Sequence, residues 1–369
     1  MVHDVTPYDL VVVGGGPAGC AVAITASRNG ASVLLLERGR FPRHKVCGEF
    51  VSAESLELLQ GLLTQKDRDL ISTAPRIPQG RIFADGAEIH AEINPPAASI
   101  TRFDLDAALW RSCVESGVDA RQECAVQTVE GTGPFAVGTQ TEIFEAKALV
   151  NATGRWSNLT SAGIRSKKAR ERWIGLKSHF AEVSPPQSVD LYFFDGGYCG
   201  VQPIPGGKNG SGAVNACAMV SPRFATTISD VLRLHPALHE RSRRWEPLME
   251  PVSTSPLVFH KPEPLQAGML QVGDSATFVD PFIGDGISLA LRSGAVAAEC
   301  LIPFFRGSRE LAESTVAYCK IYEERLAHVF RASSMLRRLL AWPRIVRKPT
   351  LAFLQQTPAI TKRLVQMTR

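Results

Sequence analysis

The sequence predicts an α/β protein in which a discontinuous Rossmann-like nucleotide-binding domain is interrupted by an antiparallel-sheet domain and followed by a C-terminal helical segment. Three observations carry this expectation. Near the N-terminus, the apolar run Leu10–Val13 leads into Gly14-Gly15-Gly16-Pro17-Ala18-Gly19, and a second apolar run, Ser32–Leu36, ends in Glu37. From about Trp173 to Val220 the pattern changes to short strands separated by Pro-Pro, Asp-Gly-Gly and Pro-Gly-Gly turns. Met269–Val272 then returns to a short apolar strand ending in Gly273-Asp274, ahead of a long helix. The expected boundaries are 1–75, 98–165 and 265–330 for the nucleotide domain, 76–97 and 166–264 for the sheet domain, and 331–369 for basic amphipathic helices.

Each part of the first motif has a physical role. An unbroken apolar run suits a parallel strand buried on both faces. The glycines fit G-x-G-x-x-G: Gly14 permits a tight turn, Gly16 lets the backbone approach a pyrophosphate, and Gly19 lets helix pack on strand. Pro17 and Ala18 belong to the turn, and the Ala-rich stretch Cys20–Asn29 reads as a helix whose N-terminal N–H groups face the phosphate. Glu37 stands where an acidic residue meets a ribose 2′-OH, and Arg38 follows it.

Composition bounds the rest. A chain of 369 residues with 44% hydrophobic content has room for two globular domains. No basic segment precedes the first apolar run and no apolar stretch reaches about 18 residues, so neither a signal peptide nor a transmembrane helix is expected. The eight cysteines are scattered, without C-x-x-C pairs or a Cys/His cluster. That favours a reduced, cytoplasmic setting and argues against structural zinc. The net charge of +5 conceals an asymmetry: residues 325–369 hold ten Lys or Arg and no Asp or Glu, leaving −5 on the remainder.

Further along, Ser52–Ser55 starts a helix, and Arg81–Ile93 alternates around Asp85-Gly86 as a hairpin closed by Pro95-Pro96. Thr101 or Asp104 can cap a helix that packs Leu105, Leu109 and Trp110. Cys124–Val129 and Ala146–Asn151 read as strands. Four more are expected at Ile174–Val183, Val189–Phe194, Gly197–Ile204 and Gly212–Val220. A helix with Leu232 and Leu234 and a Pro-rich passage, 247–264, lead to Met269–Val272. Gly284-Asp-Gly-Ile287 opens a helix through Cys300, and two more fill 310–340.

Four stretches, taken in order, resemble the superfamily of FAD-dependent aromatic hydroxylases, geranylgeranyl reductases and flavin-dependent halogenases. They are the glycine turn with Glu37, Arg102-Phe-Asp-Leu-Asp-Ala-Ala-Leu109, Asn151-Ala-Thr-Gly154-Arg-Trp-Ser157, and Gly273-Asp274 through Pro281-Phe-Ile-Gly284-Asp-Gly286-Ile287. The resemblance implies FAD. Asp274 would bond ribityl or ribose hydroxyls, Arg102 would reach the ribityl–phosphate region, and Val126 would line the adenine site. The N–H groups of Gly284, Gly286 and Ile287 would face the flavin pyrimidine. Arg43 and Gly154 complete the cofactor set. Thr153-Gly154 stands where hydroxylases usually carry Asp-Gly, which weakens an NAD(P)H role for that position. Gly196–Pro205 lacks the tryptophans of halogenases, so halogenation is disfavoured.

The loop Arg43-His-Lys-Val-Cys47-Gly48-Glu49 resembles that of geranylgeranyl reductases, where it lies beside the flavin. Cys47 could serve as a low-pKa group or proton donor, or only fill space while Gly48 admits the ring. Tyr198 is the second catalytic candidate. His179, Tyr192 and Gln202, polar groups on mostly apolar strands, are candidate substrate contacts. The implied activity is FAD-dependent oxidation–reduction of a hydrophobic small molecule, with NAD(P)H or an electron-donor partner supplying electrons. Monooxygenation through a flavin C4a-(hydro)peroxide leads. Reduction of prenyl double bonds and a non-catalytic FAD-binding or relay role are the alternatives. The basic tail suits peripheral contact with an anionic membrane, guarding of an apolar tunnel, or simple packing. No aromatic–basic module indicates nucleic acid.

Overall fold

The computed structural model describes residues 7–155, 159, 173–207, 212–257 and 259–340, with 345, 348 and 349. Trp156, Ser157 and most of the tail beyond 340 lie outside the described residues. The nucleotide-binding half begins with β1 (Tyr8–Val13), α1 (Pro17–Arg28) and β2 (Val33–Leu36). A hairpin follows, β3 (Arg76–Ala84) and β4 (Ala87–Ser99), then α2 (Arg102–Glu115), β5 (Asp119–Arg121) and β6 (Ile143–Asn151). The sheet half adds β7 (Trp173–Glu182), β8 (Ser188–Phe194), β9 (Gly197–Ile204), β10 (Gly212–Val220) and β11 (Val252–Leu257). The chain returns with β12 (Met269–Gln271), α3 (Gly286–Phe305), α4 (Leu311–Arg325) and α5 (Ala327–Leu340).

Among the described residues these strands form two sheets. The first is mostly parallel, in the order β12-β6-β1-β2-β5, extended by antiparallel pieces at Phe135–Gly138, Thr128–Gly131 and Leu265–Gln266. The second runs β7-β10-β9-β8-β3-β4, with β11 and Glu246–Pro247 on β7 and Phe50–Val51 on β4. All its pairings are antiparallel except β8 with β3. Phe50–Val51 belongs to the sequence segment that follows β2, so the second sheet is laced to the first from early in the chain.

Two glycines set the β1–α1 turn. Gly14 has φ +108°, and a Cβ there would lie 2.4 Å from the Ala152 carbonyl oxygen at the end of β6. A Cβ on Gly19 would lie 1.9 Å from the Gly14 carbonyl oxygen. Small residues on α1 let α3 approach equally closely, Gly294 facing the Ala18 carbonyl. By length and composition alone α3 could cross a membrane, yet 61% of its most apolar window is buried inside the protein. It is the core helix of the nucleotide half.

Three expected elements differ. The helix expected around Leu232 and Leu234 is instead two short ones, Ile228–Val231 and Pro236–Ser242, with both leucines in the turn between them and Pro236 starting the second. Pro95-Pro96 do not close the hairpin, because β4 continues to Ser99. The two prolines are exposed and fall where the register jumps from Gln79–Glu92 to Ile77–Ala97, a bulge that needs no N–H from them. Cys124–Val129 is not a single strand. Cys124 N–H instead donates to the Glu37 carbonyl at 2.9 Å, and pairing resumes only at Thr128. At the helix start, Thr101 caps α2, its Oγ accepting from Asp104 N–H at 3.1 Å.

Gly19→Ala should lower stability by about 1–3 kcal/mol, the usual penalty for forcing a methyl group into a packed contact. Denaturant unfolding against wild type checks this, and equal midpoints would contradict the close approach.

Candidate FAD site

A cavity of about 870 Å³ runs along the interface of the two sheets. Of the residues expected to hold cofactor, Gly14, Gly16, Pro17, Ala18, Glu37, Arg38, Arg43, Gly48, Arg102, Val126, Gly154, Asp274, Gly284, Gly286 and Ile287 line it. Gly19 does not line it; its contribution is to bring α1 against the Gly14 turn. Cys47, Tyr198 and Gln202 are on the wall as well.

At the nucleotide end, Glu37 is buried and accepts hydrogen bonds from Gly15 N–H at 2.9 Å, Gly39 N–H at 2.8 Å and Arg43 Nη2 at 2.8 Å. Burial opposes its charge, but Lys45, Arg43 and the Gly39 N–H outweigh it and hold the carboxyl below its ordinary range. Arg102 makes a two-pronged pair with buried Asp106, both contacts 2.7 Å, and Lys45 adds a third cation contact at 3.1 Å. This clamp holds Arg102 Nη2 3.9 Å from where a Gly16 side chain would start. Asp106 keeps the guanidinium charged against the cost of burial. Opposite, burial pushes the Asp274 carboxyl up, while Arg155, 3.6 Å away, pulls it down. Ser275 stitches Gly154 to this turn, accepting from its N–H at 2.8 Å and donating to its carbonyl at 3.1 Å.

These residues fit FAD. A bare glycine turn opens on the cavity at Gly16, a cation stands beside it, and carboxylates flank it at Glu37 and Asp274. The first turn of α3 presents the Gly286 and Ile287 amides to the same space.

The loop bearing Cys47 rests on a buried ion cluster. Glu49 is fully buried and holds φ +64°, a left-handed conformation unusual for a side-chain-bearing residue. Its carboxylate accepts from Lys177 Nζ, His179 Nε2 at 2.9 Å and Arg102 N–H at 2.8 Å. Burial alone would raise the Glu49 carboxyl; His179 and Lys177 reverse this and lower it. The Glu49 N–H donates to Cys47 Sγ at 3.3 Å, and Asn215 Nδ2 on β10 donates to the Cys47 and Gly48 carbonyls at 3.0 and 2.9 Å. Above the cluster, His44 stacks on Phe103 at 4.8 Å and meets His179 edge-on at 5.3 Å.

Two expected substrate contacts are corrected. His179 is not on the cavity wall: Glu49 stands on it, and its ring nitrogen is committed to that carboxylate. Tyr192 points to the opposite face of β8 from Val189, Leu191 and Phe193, which do line the cavity. It stacks on Phe83 at 4.6 Å and meets Arg241 at 3.2 Å, inside a separate core. Gln202 donates to Ser99 Oγ at 2.6 Å across the sheet. The sheet-side lining is largely apolar: Ile82, Ile89 and Ile93 line the cavity, and Leu191, Phe193, Met219, Leu257, Phe278 and Phe282 cluster with Tyr198. Lys177 and Asp280 were not singled out in the sequence. For Lys177 the available signal was a lysine inside the apolar strand Ile174–Phe180.

A parallel sheet with a glycine turn, an inserted antiparallel sheet and a long cavity between them define a two-domain flavoprotein oxidoreductase. The chain belongs to the family described as FAD dependent oxidoreductase, whose two profiles match residues 9–174 and 93–299. It is 26% identical over 372 residues to a menaquinone reductase of Mycolicibacterium smegmatis, covering 92% of this chain and 86% of that protein. It is 23% identical over 354 residues to a 1H-pyrrole-2-carbonyl-[peptidyl-carrier protein] brominase of Pseudoalteromonas luteoviolacea, covering 85% and 86%. In fold it is similar to a geranylgeranyl bacteriochlorophyll reductase-like protein of Thermoplasma acidophilum, with TM-score 0.76 and 20% identity over 98% of this chain and 95% of that one.

Removing one partner of the Glu49 cluster leaves a buried charge uncompensated. Lys177→Met should therefore cost about 3–5 kcal/mol, and adding Glu49→Gln should recover part of the loss. Because the folded carboxyl is lowered, the stability it contributes is complete above the unfolded carboxylate pKa and disappears as pH falls through the lowered value. Urea unfolding of the two single variants and the double variant from pH 7 to pH 3 measures both effects. Additive losses would contradict the coupling.

Proposed function

We propose that this chain reduces a carbon–carbon double bond in a long hydrophobic, isoprenoid-like molecule, with NAD(P)H or a donor protein as the electron source. The observation that carries the reading is the continuity of the cavity, which passes from the glycine turn under the Cys47 loop into an apolar chamber. Reduced FAD, when bound, supplies the electrons. The chain's own residues bind and orient. Glu37, Arg102 and Asp274 would hold the nucleotide and ribityl portions, and the amides at the start of α3 favour negative charge beside them. The chamber walls exclude water and align an extended apolar chain. Cys47 Sγ, on the wall between the two ends, holds the proton that saturation of a double bond requires.

The similarity to a menaquinone reductase and to a geranylgeranyl reductase-like fold supports this reading. Halogenation is disfavoured despite the brominase likeness. Gly197–Pro205 contains no tryptophan, and Lys45, the lysine on the cavity wall, is already paired with Asp106. Hydroxylation, which the sequence reading placed first, would use the same cofactor and chamber and differs by consuming oxygen. The basic C-terminal segment would serve as a peripheral membrane contact, placing the chamber near a lipid-borne substrate.

The test is anaerobic turnover of the reduced holoenzyme with a polyprenyl lipid, followed by mass spectrometry for a gain of two hydrogens. Oxygen uptake stoichiometric with substrate, and no anaerobic product, would establish hydroxylation instead. In the same assay Cys47→Ala should reduce turnover by about 10²–10⁴-fold. FAD content should stay unchanged, and Cys47→Ser should restore part of the rate. Unaltered turnover in Cys47→Ala removes the thiol from the mechanism.

A further inference from the structure

A polar pair stands at the apolar chamber, with Tyr198 on the wall and Asp280 buried behind it. Asp280 precedes the short turn at Pro281–Ile283, and 1% of its surface is exposed. Its Oδ1 lies 3.4 Å from the Tyr198 hydroxyl, too long for a strong hydrogen bond, and its Oδ2 has no hydrogen-bond partner. Around it, the Phe282 N–H faces Oδ1 at 3.5 Å, and the Asp280 N–H donates to Ser333 Oγ on α5 at 2.8 Å. Arg337, also on α5, stops 4.0 Å from Oδ2 and lies over the Phe259 ring at 3.9 Å. Phe259 in turn stacks at 5.0 Å on Phe278, a chamber wall.

A carboxyl that is buried, short of partners and bordered by aromatic rings favours its neutral form. Burial pushes Asp280 up to about 7, with Arg337, the Phe282 N–H and Tyr198 pulling the other way. Tyr198 is itself pushed well up by burial and by Asp280, with Cys217 and Cys199 adding in the same direction, so its hydroxyl keeps its proton. The two protonation states of Asp280 then orient that hydroxyl differently. A carboxylate draws the phenol proton to itself. A neutral acid can donate to the phenol oxygen and free the phenol proton for another acceptor. The Tyr198 ring stands on the cavity wall, where the surrounding chamber residues are apolar.

We propose that Asp280 and Tyr198 together form a recognition site for a carbonyl oxygen on the hydrophobic substrate, the acid donating to the phenol and the phenol donating to the ligand. The substrate class this selects is an isoprenoid bearing a conjugated or quinone-type carbonyl, rather than a pure hydrocarbon. The assignment rests on the reading of the chamber as a hydrophobic-substrate site.

The test uses the oxidised holoenzyme and two probes, a 1,4-naphthoquinone carrying a short prenyl chain and a prenyl hydrocarbon of equal length. Binding is titrated by flavin fluorescence from pH 5.5 to 8.5. Wild type should prefer the quinone by about tenfold or more at low pH, the worth of one well-placed hydrogen bond in an apolar site. That preference should fall as pH rises through about 7. Tyr198→Phe should lose the preference at every pH and still bind the hydrocarbon. Asp280→Asn, whose amide can donate to the phenol oxygen at any pH, should keep the preference and lose its pH dependence. Equal binding of both probes, or a preference that survives in Tyr198→Phe, overturns the assignment while leaving the hydrophobic-substrate reading in place. Binding of neither probe overturns that reading as well.

Discussion

One buried carboxylate, Glu49, fixes how the two halves of the molecule meet. Its three donors come from β7 of the antiparallel sheet and from the first turn of α2 in the nucleotide half. An unpaired carboxylate at this depth would be far too costly to tolerate, so the sheet half has to supply Lys177 and His179 whenever the loop is in place. The left-handed backbone at Glu49 costs roughly 1–2 kcal/mol. What it gains is the direction of the loop, because the same residue turns its N–H onto Cys47 Sγ. The position of the thiol on the cavity wall is therefore set by an ion cluster behind it.

The two walls of the cavity are made by different means. On the nucleotide side the chain presents backbone: a turn without side chains, the first amides of α3, and clamped charges at Arg102 and Glu37. On the sheet side it presents alternate residues of flat strands, so that Leu191 and Phe193 face inward while Tyr192 packs beneath α-helical cover on the other side. The first wall recognises charge and hydrogen bonding, and the second recognises apolar bulk. Their meeting point is the Cys47–Gly48 segment, which Asn215 holds from β10.

Much of this was legible in the sequence where the determining contacts are local. The β1–α1–β2 unit follows from a run of apolar residues, a glycine spacing and an acid within thirty residues of one another. The strands β7 to β10 follow from alternation broken by turn residues, and the structure places each within two residues of its expected ends. The ion cluster was not legible, because Glu49 and Lys177 are 128 residues apart and neither shows its partner locally. His179 and Tyr192 were misplaced for a related reason. Alternation says which residues share a face of a strand, but not which face meets the cavity and which meets a loop or another core. The continuation of β4 past its prolines was hidden too, since only the register reveals that they sit in a bulge.

The order of strands in the parallel sheet has a consequence for how the chain is made. β1 is complete after thirteen residues, but its layer is closed only when β12 pairs with β6 and α3 lies against α1, with Tyr318 of α4 then donating to the Gln271 carbonyl at 2.8 Å. At about 5–20 residues per second of synthesis, α1 waits on the order of 15–60 s for its helical partner. During that interval the antiparallel strands between residues 173 and 220, joined by short turns, can pair with their neighbours. The inserted strands can thus pair among themselves before the nucleotide-binding layer is closed, although β1, β2, β5 and β6 of that layer are already made by residue 151.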